Sequence, residues 1–204
     1  MHGLRLRNDR EPCTGSACVR NGTLPPMPNA PSSGGPPHGG FRVRVSQETV
    51  HLPNGNDIVL DIVRHPGASA VVPFLSDDEV LLIRQFRHAA GGTIYEVPAG
   101  KLDPGDTPEA CAARELEEEV GRRPGRLEPL ASILTTPGFT DEVIHLYAAF
   151  DLGEVEARPG DHEVIELAPM KLEAALELVW SGELRDAKSA LALLHAARRV
   201  GRLR

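Results

Sequence analysis

The sequence predicts an α+β fold with a mixed sheet, preceded by a disordered N-terminal tail, and three observations carry that prediction. Apolar runs of strand character fill residues 41–98. One strongly signalled helix follows at about 108–120, after which strand patterns return. Two further helical stretches, about 171–181 and 186–200, close the chain. Strands, one helix, strands and then helices is the order expected when helices cover a sheet.

Residues 1–40 hold seven Gly and seven Pro and end in PSSGGPPHGG. Such a segment cannot bury enough apolar surface to offset its ordering entropy, so it reads as a disordered tail, with one domain at 41–204. Phe41, Val43 and Val45 alternate with polar neighbours, Asn54-Gly55 signals a turn, and DIVLDIV resumes as a second strand, giving an N-terminal strand pair over 41–64. ASAVVPFL (68–75) and EVLLIRQF (79–86) read as buried strands joined in a hairpin at Ser76-Asp77-Asp78. TIYEVP (93–98) is a short strand running into Ala99-Gly100. The helix that follows has Asp106 and Thr107 as N-cap candidates, Pro108 in its first turn, Glu109 near the positive end of its dipole and Gly121 as its stop. Strands return at 129–135 and 143–151, and Asp186 caps the last helix.

Apolar residues make up 41% of the 204, enough for a core, and charged residues 25%. No apolar run approaches the roughly 20 residues that cross a bilayer, and the N-terminus has no apolar stretch of the secretory kind, so the chain reads as soluble and cytoplasmic. A formal charge of −7 argues against a nucleic-acid duplex or an anionic membrane as partner. It permits a phosphorylated substrate where metal ions and a few arginines invert the local field. Cys13, Cys18 and Cys111 make no disulfide framework.

The informative stretch is AGKLDPGDTPEACAARELEEEVG, residues 99–121. Glu115, Glu118 and Glu119 stand at i, i+3 and i+4 of one helix and share a face. Such crowding is repulsive, and it falls in the last turns, where the dipole disfavours negative charge. A divalent cation supplies compensation, and Mg²⁺ prefers carboxylate oxygens. The plainer alternative is a solvated face, with Glu118 pairing Arg122 and Glu119 pairing Arg123.

From Gly100 the chain runs five residues to Asp106, then seven to Arg114-Glu115-Leu116-Glu117-Glu118-Glu119-Val120-Gly121. This resembles the Nudix box: Gly, five residues, Glu, seven residues, then Arg-Glu-apolar-x-Glu-Glu-x-Gly-apolar. Asp106 replaces the first Glu and Arg122 the final apolar residue. The resemblance spans about residues 41–200 and implies the Nudix α/β/α sandwich. It implies Glu115 and Glu119 as principal Mg²⁺ ligands (Mn²⁺ being the other cation to test), Glu118 as a ligand or its neighbour, and the Ala99 carbonyl as a further ligand. Arg114 would orient the glutamates. Hydrolysis of a pyrophosphate needs neutralised oxygens, an activated water and a stabilised leaving phosphate, which clustered divalent ions supply.

Pro137 lies 16 residues past Gly121, within TTPGFTDEVIHLYAA. Together with Arg84-Gln85-Phe86-Arg87 and Tyr95-Glu96-Val97-Pro98-Ala99-Gly100-Lys101, it resembles the ADP-ribose pyrophosphatase branch. That likeness makes Arg84 and Arg87 candidates for phosphate or ribose, adds Glu96, and puts Phe139 and Glu142 on a substrate loop. Phe139 could equally pack, and Arg87 could be a surface residue. In the acidic loop 158–166, Glu163 matches an acid that binds a further metal or positions water, Asp161 matches the usual base, and His162 is a base only by its ordinary pKa. The branch also implies a homodimer in which the strands of 41–64 help build the partner's site. The expected reaction is Mg²⁺-dependent cleavage of ADP-ribose to AMP and ribose 5-phosphate. Its alternatives are another nucleoside diphosphate sugar, such as a GDP- or UDP-hexose, or a module that binds ADP-ribose without cleaving it.

Overall fold

The computed structural model describes residues 44–160 and 163–203. The tail, Phe41, Val43, Cys13, Cys18, Asp161 and His162 therefore lie outside the described residues. Strands β1 (Arg44–His51) and β2 (Asp57–Arg64) form an antiparallel hairpin that is a sheet of its own. Its turn carries Gly55 at φ +87°, a left-handed value that glycine adopts without strain. Asn54 Oδ1 accepts the Asn56 amide at 3.1 Å, which closes the turn locally.

The main sheet is built from β3 (Ala68–Ser76), β4 (Glu79–Arg87), β5 (Gly92–Glu96), β6 (Ala99–Lys101), β8 (Arg126–Leu134), β9 (Val143–Phe150) and β11 (Ile165–Lys171). A short pair, β7 (Arg122–Arg123) with β10 (Gly153–Glu154), lies outside it. The order β11-β4-β3-β9-β8, with β5 beside β4 and β6 beside β3, is mixed because β3 and β9 run parallel while the other pairs are antiparallel.

Helices α1 (Pro108–Val120), α2 (Leu172–Trp180) and α3 (Ala187–Arg199) cover the two faces. On one face Ala112, Leu116 and Val120 of α1 pack against Val71, Leu81, Ile83 and Ala149. On the other, Leu172, Leu176, Ala192, Leu193 and Ala196 pack against Ala70, Val72, Val80 and Leu82. Because successive strand residues point to opposite faces, a sheet covered on both sides needs apolar residues at every position, which is why β3 and β4 read as continuous runs. The α/β/α sandwich expected from the sequence is the architecture found. Among the described residues, no helix is long and apolar enough to cross a membrane.

Several boundaries differ from expectation. The strand expected at 93–98 ends at Glu96 as β5, and a separate strand β6 starts at Ala99, since Val97 and Pro98 carry the chain from pairing with β4 to pairing with β3. Residues 165–171, of which the sequence places 165 and 166 in the acidic loop and 171 at the start of a helix, form the edge strand β11, so that α2 starts only at Leu172. Of the two cap candidates for α1, Thr107 is the cap, its Oγ1 accepting the Ala110 amide at 3.1 Å. Asp106 instead accepts the Asp103 amide at 3.2 Å.

Candidate active site

Three segments meet where β6 passes the last turns of α1. Glu119 Oε2 accepts the Ala99 amide at 3.0 Å. The Glu115 carboxylate lies so close to Gly100 that a Cβ there would fall 2.0 Å from its atoms. Gly100 is thus needed for close approach, since any side chain would drive Glu115 out. Both glutamates are nearly buried, at 8% and 4% exposure, whereas Glu118 remains open to solvent. The solvated-face alternative fails on this burial and on the pairing: Arg122 bonds Glu154 at 2.6 Å and Arg123 bonds Glu117 at 2.7 Å.

Arg114 gathers the neighbouring acids. Its Nη1 donates to Glu115 Oε1 at 2.7 Å and reaches Glu118 Oε2 at 3.4 Å. Its Nη2 donates to the Lys101 carbonyl at 3.0 Å and to Asp106 Oδ2 at 3.2 Å. The guanidinium fork suits such multiple contacts. One cation does not balance the group. Burial pushes the Glu119 carboxyl up to about 8, the Ala99 amide opposes this, and Glu115 and Glu163 add to it. Burial likewise raises Glu115, against the pull of Arg114.

Glu163 is held at the mouth by its own loop, its Oε2 accepting the Gly160 amide at 2.8 Å. Among the described residues no three acids converge closely enough to hold a metal ion in place. Arg114 and the Ala99 amide occupy part of the carboxylate oxygens instead. The donor chemistry still fits a hard divalent cation. Glu115 and Glu119 are buried carboxyls, the first sharing Arg114 with other acids and the second accepting only a backbone amide, and each has a second oxygen to offer beside half-exposed Glu118 and exposed Glu163.

A cleft of about 670 Å³ opens beside this cluster, lined by Ala99, Gly100, Glu163, Arg87, Glu142 and Lys188, with Ile133, Leu134 and Leu191 as an apolar side. Arg87 is fixed by a two-point pair with Glu96, Nε to Oε1 at 2.7 Å and Nη2 to Oε2 at 2.9 Å. Glu96 is 2% exposed, and Lys188 Nζ donates to it at 2.6 Å. Burial works against its charge, yet Arg87 and Lys188 hold this carboxyl below its ordinary range. Glu96 is therefore an anchor behind the cleft wall.

Glu142 lines the cleft and accepts Thr135 Oγ1 at 2.9 Å. Phe139 and Arg84 do not line it. Phe139 is exposed on the preceding turn, its carbonyl accepting the Val63 amide at 2.7 Å. Arg84 stands three residues from Arg87 on β4, hence on the opposite face, where it bonds Glu166 at 3.0 Å and lies 5.5 Å from the Tyr95 ring centre. Sequence reasoning missed Lys188 and Asp186 as neighbours of the cleft, because only folding joins α3 to β5.

A profile of the NUDIX domain matches residues 63–191. The chain is 42% identical over 148 residues to an ADP-ribose pyrophosphatase of Bacillus subtilis, covering 72% of this chain and 80% of that protein. It is 39% identical over 153 residues to a methanol dehydrogenase activator of Bacillus methanolicus, covering 74% and 83%. A GDP-mannose pyrophosphatase of Cronobacter sakazakii is 36% identical over 152 residues, covering 66% and 79%. A crystal structure of an ADP compounds hydrolase superposes with a TM-score of 0.68 at 25% identity, covering 78% of this chain and 88% of that one. Profile, relatives and the acid-bearing helix agree, and the chain belongs to the Nudix family of hydrolases.

Proposed function

We propose that this Nudix hydrolase is a Mg²⁺-dependent ADP-ribose pyrophosphatase that yields AMP and ribose 5-phosphate. The observation that carries the reading is the pair Glu115 and Glu119, buried beside the cleft that Arg87 lines, with only Arg114, which it shares with Glu118 and Asp106, paired to Glu115 and no cation paired to Glu119 among the described residues. Identity to an ADP-ribose pyrophosphatase supports the substrate.

In this reading Glu115 and Glu119 hold the cation, joined by the Ala99 carbonyl, Glu118 and Glu163. When bound, a divalent cation neutralises the phosphate oxygens and the departing phosphate. Arg114 keeps Glu115 and Glu118 in place, and Arg87 offers the substrate pyrophosphate the guanidinium edge that Glu96 leaves open. Glu142 borders the substrate in the cleft. Water attacks phosphorus and one P–O bond of the bridge breaks; Glu163 or Asp161 takes the proton, with His162 the weaker candidate.

The second reading, a pyrophosphatase for another nucleoside diphosphate sugar, is favoured by the identity to a GDP-mannose pyrophosphatase. Product analysis with ADP-ribose, GDP-mannose, UDP-glucose and NAD⁺ separates the two, each with Mg²⁺, with Mn²⁺ and with EDTA. AMP and ribose 5-phosphate formed mainly from ADP-ribose and abolished by EDTA is the expected result. Preferential cleavage of another sugar nucleotide overturns the substrate and keeps the site; binding without product points to a non-catalytic module. We also read the chain as a homodimer joined through β1 and β2, whose Val45 and Val59 are exposed. Light scattering at the mass of one chain would sink that reading.

A further inference from the structure

We infer that Lys188 is a positioning residue for the pyrophosphate site, acting through Glu96 on Arg87. The inference rests on the pyrophosphatase reading for its substrate, and on the structure alone for its geometry.

Arg87 ends β4 with its side chain 41% exposed, and an exposed arginine paired with one carboxylate is ordinarily held loosely. Here the carboxylate is buried and receives three charge-assisted hydrogen bonds, two from Arg87 and one from Lys188. Lys188 is itself fixed. Its Nζ donates to Asp186 Oδ2 at 2.8 Å, and Asp186 caps α3 by accepting the Ser189 amide at 3.0 Å. Ser189 Oγ in turn accepts the Val97 amide at 2.8 Å, beside Glu96 in sequence. The first turn of α3 is thus pinned to the backbone next to the carboxylate that its lysine holds. Glu96 uses Nε and Nη2 of Arg87, and Nη1 takes no part in the pair. Lys188 therefore sets where that remaining edge stands in the cleft. Without Lys188, Glu96 keeps a single cation and Asp186 loses its own, so both carboxylates are freer to move and Arg87 moves with them.

The test is a double-mutant cycle in the full chain with Mg²⁺, using whichever sugar nucleotide the wild type cleaves. Lys188→Met is expected to raise KM by about tenfold with kcat within about threefold, and to add less than about twofold when Arg87 is already Met. Lys188→Arg, which keeps a cation for Glu96, restores most of the loss. Additive effects of the two substitutions, or a fall in kcat at unchanged KM, would overturn the inference and leave Lys188 a purely structural residue. Lys188→Gln gives the same comparison should the Met variant fail to fold. Absence of turnover with ADP-ribose sinks the substrate assignment alone. Inorganic pyrophosphate titrated into the protein with Mg²⁺ needs no turnover: about tenfold weaker binding in Lys188→Met supports the positioning role, and equal binding overturns it. Lys171→Met, at a surface pair with Asp78, is the control expected to change neither readout.

Discussion

Glu96 and Glu119 are buried almost equally, at 2% and 4% exposure, behind the wall of one cleft, and their carboxyls shift in opposite directions. Arg87 and Lys188 hold Glu96 below its ordinary range against the effect of burial. Burial, with Glu115 and Glu163 nearby, pushes Glu119 up to about 8, although the Ala99 amide is bonded to it. Burial alone does not decide the state of a carboxylate; the number of cations that come with it does. Glu96 carries its own compensation within the fold. Glu119 does not, and a divalent cation is the partner its oxygen donors suit.

The comparison breaks most sharply under Glu119→Gln. The amide side chain still accepts from Ala99 but removes the charge that would hold the cation. Turnover should fall by at least about a thousandfold, roughly 4 kcal/mol of transition-state stabilisation, with folding intact. An active variant would discard the metal assignment. Glu96→Gln should do the reverse to stability. It strips the shared anion from Arg87 and Lys188, and breaking a buried pair in this way costs about 3–5 kcal/mol. Urea denaturation of the two variants side by side reads the difference; equal stabilities would mean that Glu96 is not the anchor its hydrogen bonds describe.

pH separates the two carboxyls further. In metal-free protein Glu119 has a folded-state pKa near 8 against an ordinary value of 4.5, so the folded chain binds the extra proton between those limits. Its contribution to stability is full below pH 4.5 and is lost as pH rises towards 8. Glu96 has the opposite sign: its contribution is present above its ordinary value of 4.5 and fades as pH falls below it. Melting curves from pH 4 to 9 should therefore show a decline between about pH 4.5 and 8 that Glu119→Gln or saturating Mg²⁺ flattens. A decline that persists in Glu119→Gln would assign it to other groups.

The Glu119 side of the comparison was legible in the sequence; on the Glu96 side the sequence offered Glu96 and Arg87 as candidates but not their pairing or Lys188, for a reason of distance. Glu115, Glu118 and Glu119 share a face through local helical periodicity, and Pro108 and Gly121 mark the ends of the helix. Gly100 stands in the same contiguous motif. Glu96 and Lys188 are 92 positions apart, and no local pattern announces that α3 will set its first turn against β5. Periodicity could have separated Arg84 from Arg87, since an odd spacing on a strand places them on opposite faces. The edge strand β11 escaped notice because Pro169 and Glu166 interrupt its apolar pattern, which an edge position tolerates and a central one does not.

The smallest expected effect tests the acid-bearing helix without touching its acids. Thr107 and Asp106 look interchangeable as caps by residue type, yet only Thr107 accepts the Ala110 amide, while Asp106 bonds Arg114. Thr107→Ala should lower stability by about 1 kcal/mol, the usual cost of a lost N-cap, and leave kcat and KM unchanged because Arg114 keeps its acids. Asp106→Ala should do the opposite, sparing the cap but loosening Arg114 and with it Glu115, so that Mg²⁺ affinity falls by about tenfold or more. Thermal melting alongside Mg²⁺ titration distinguishes them. Equal responses would mean that the helix start and the acid cluster move as one unit, and that the compensation Glu119 lacks is felt along the whole of α1.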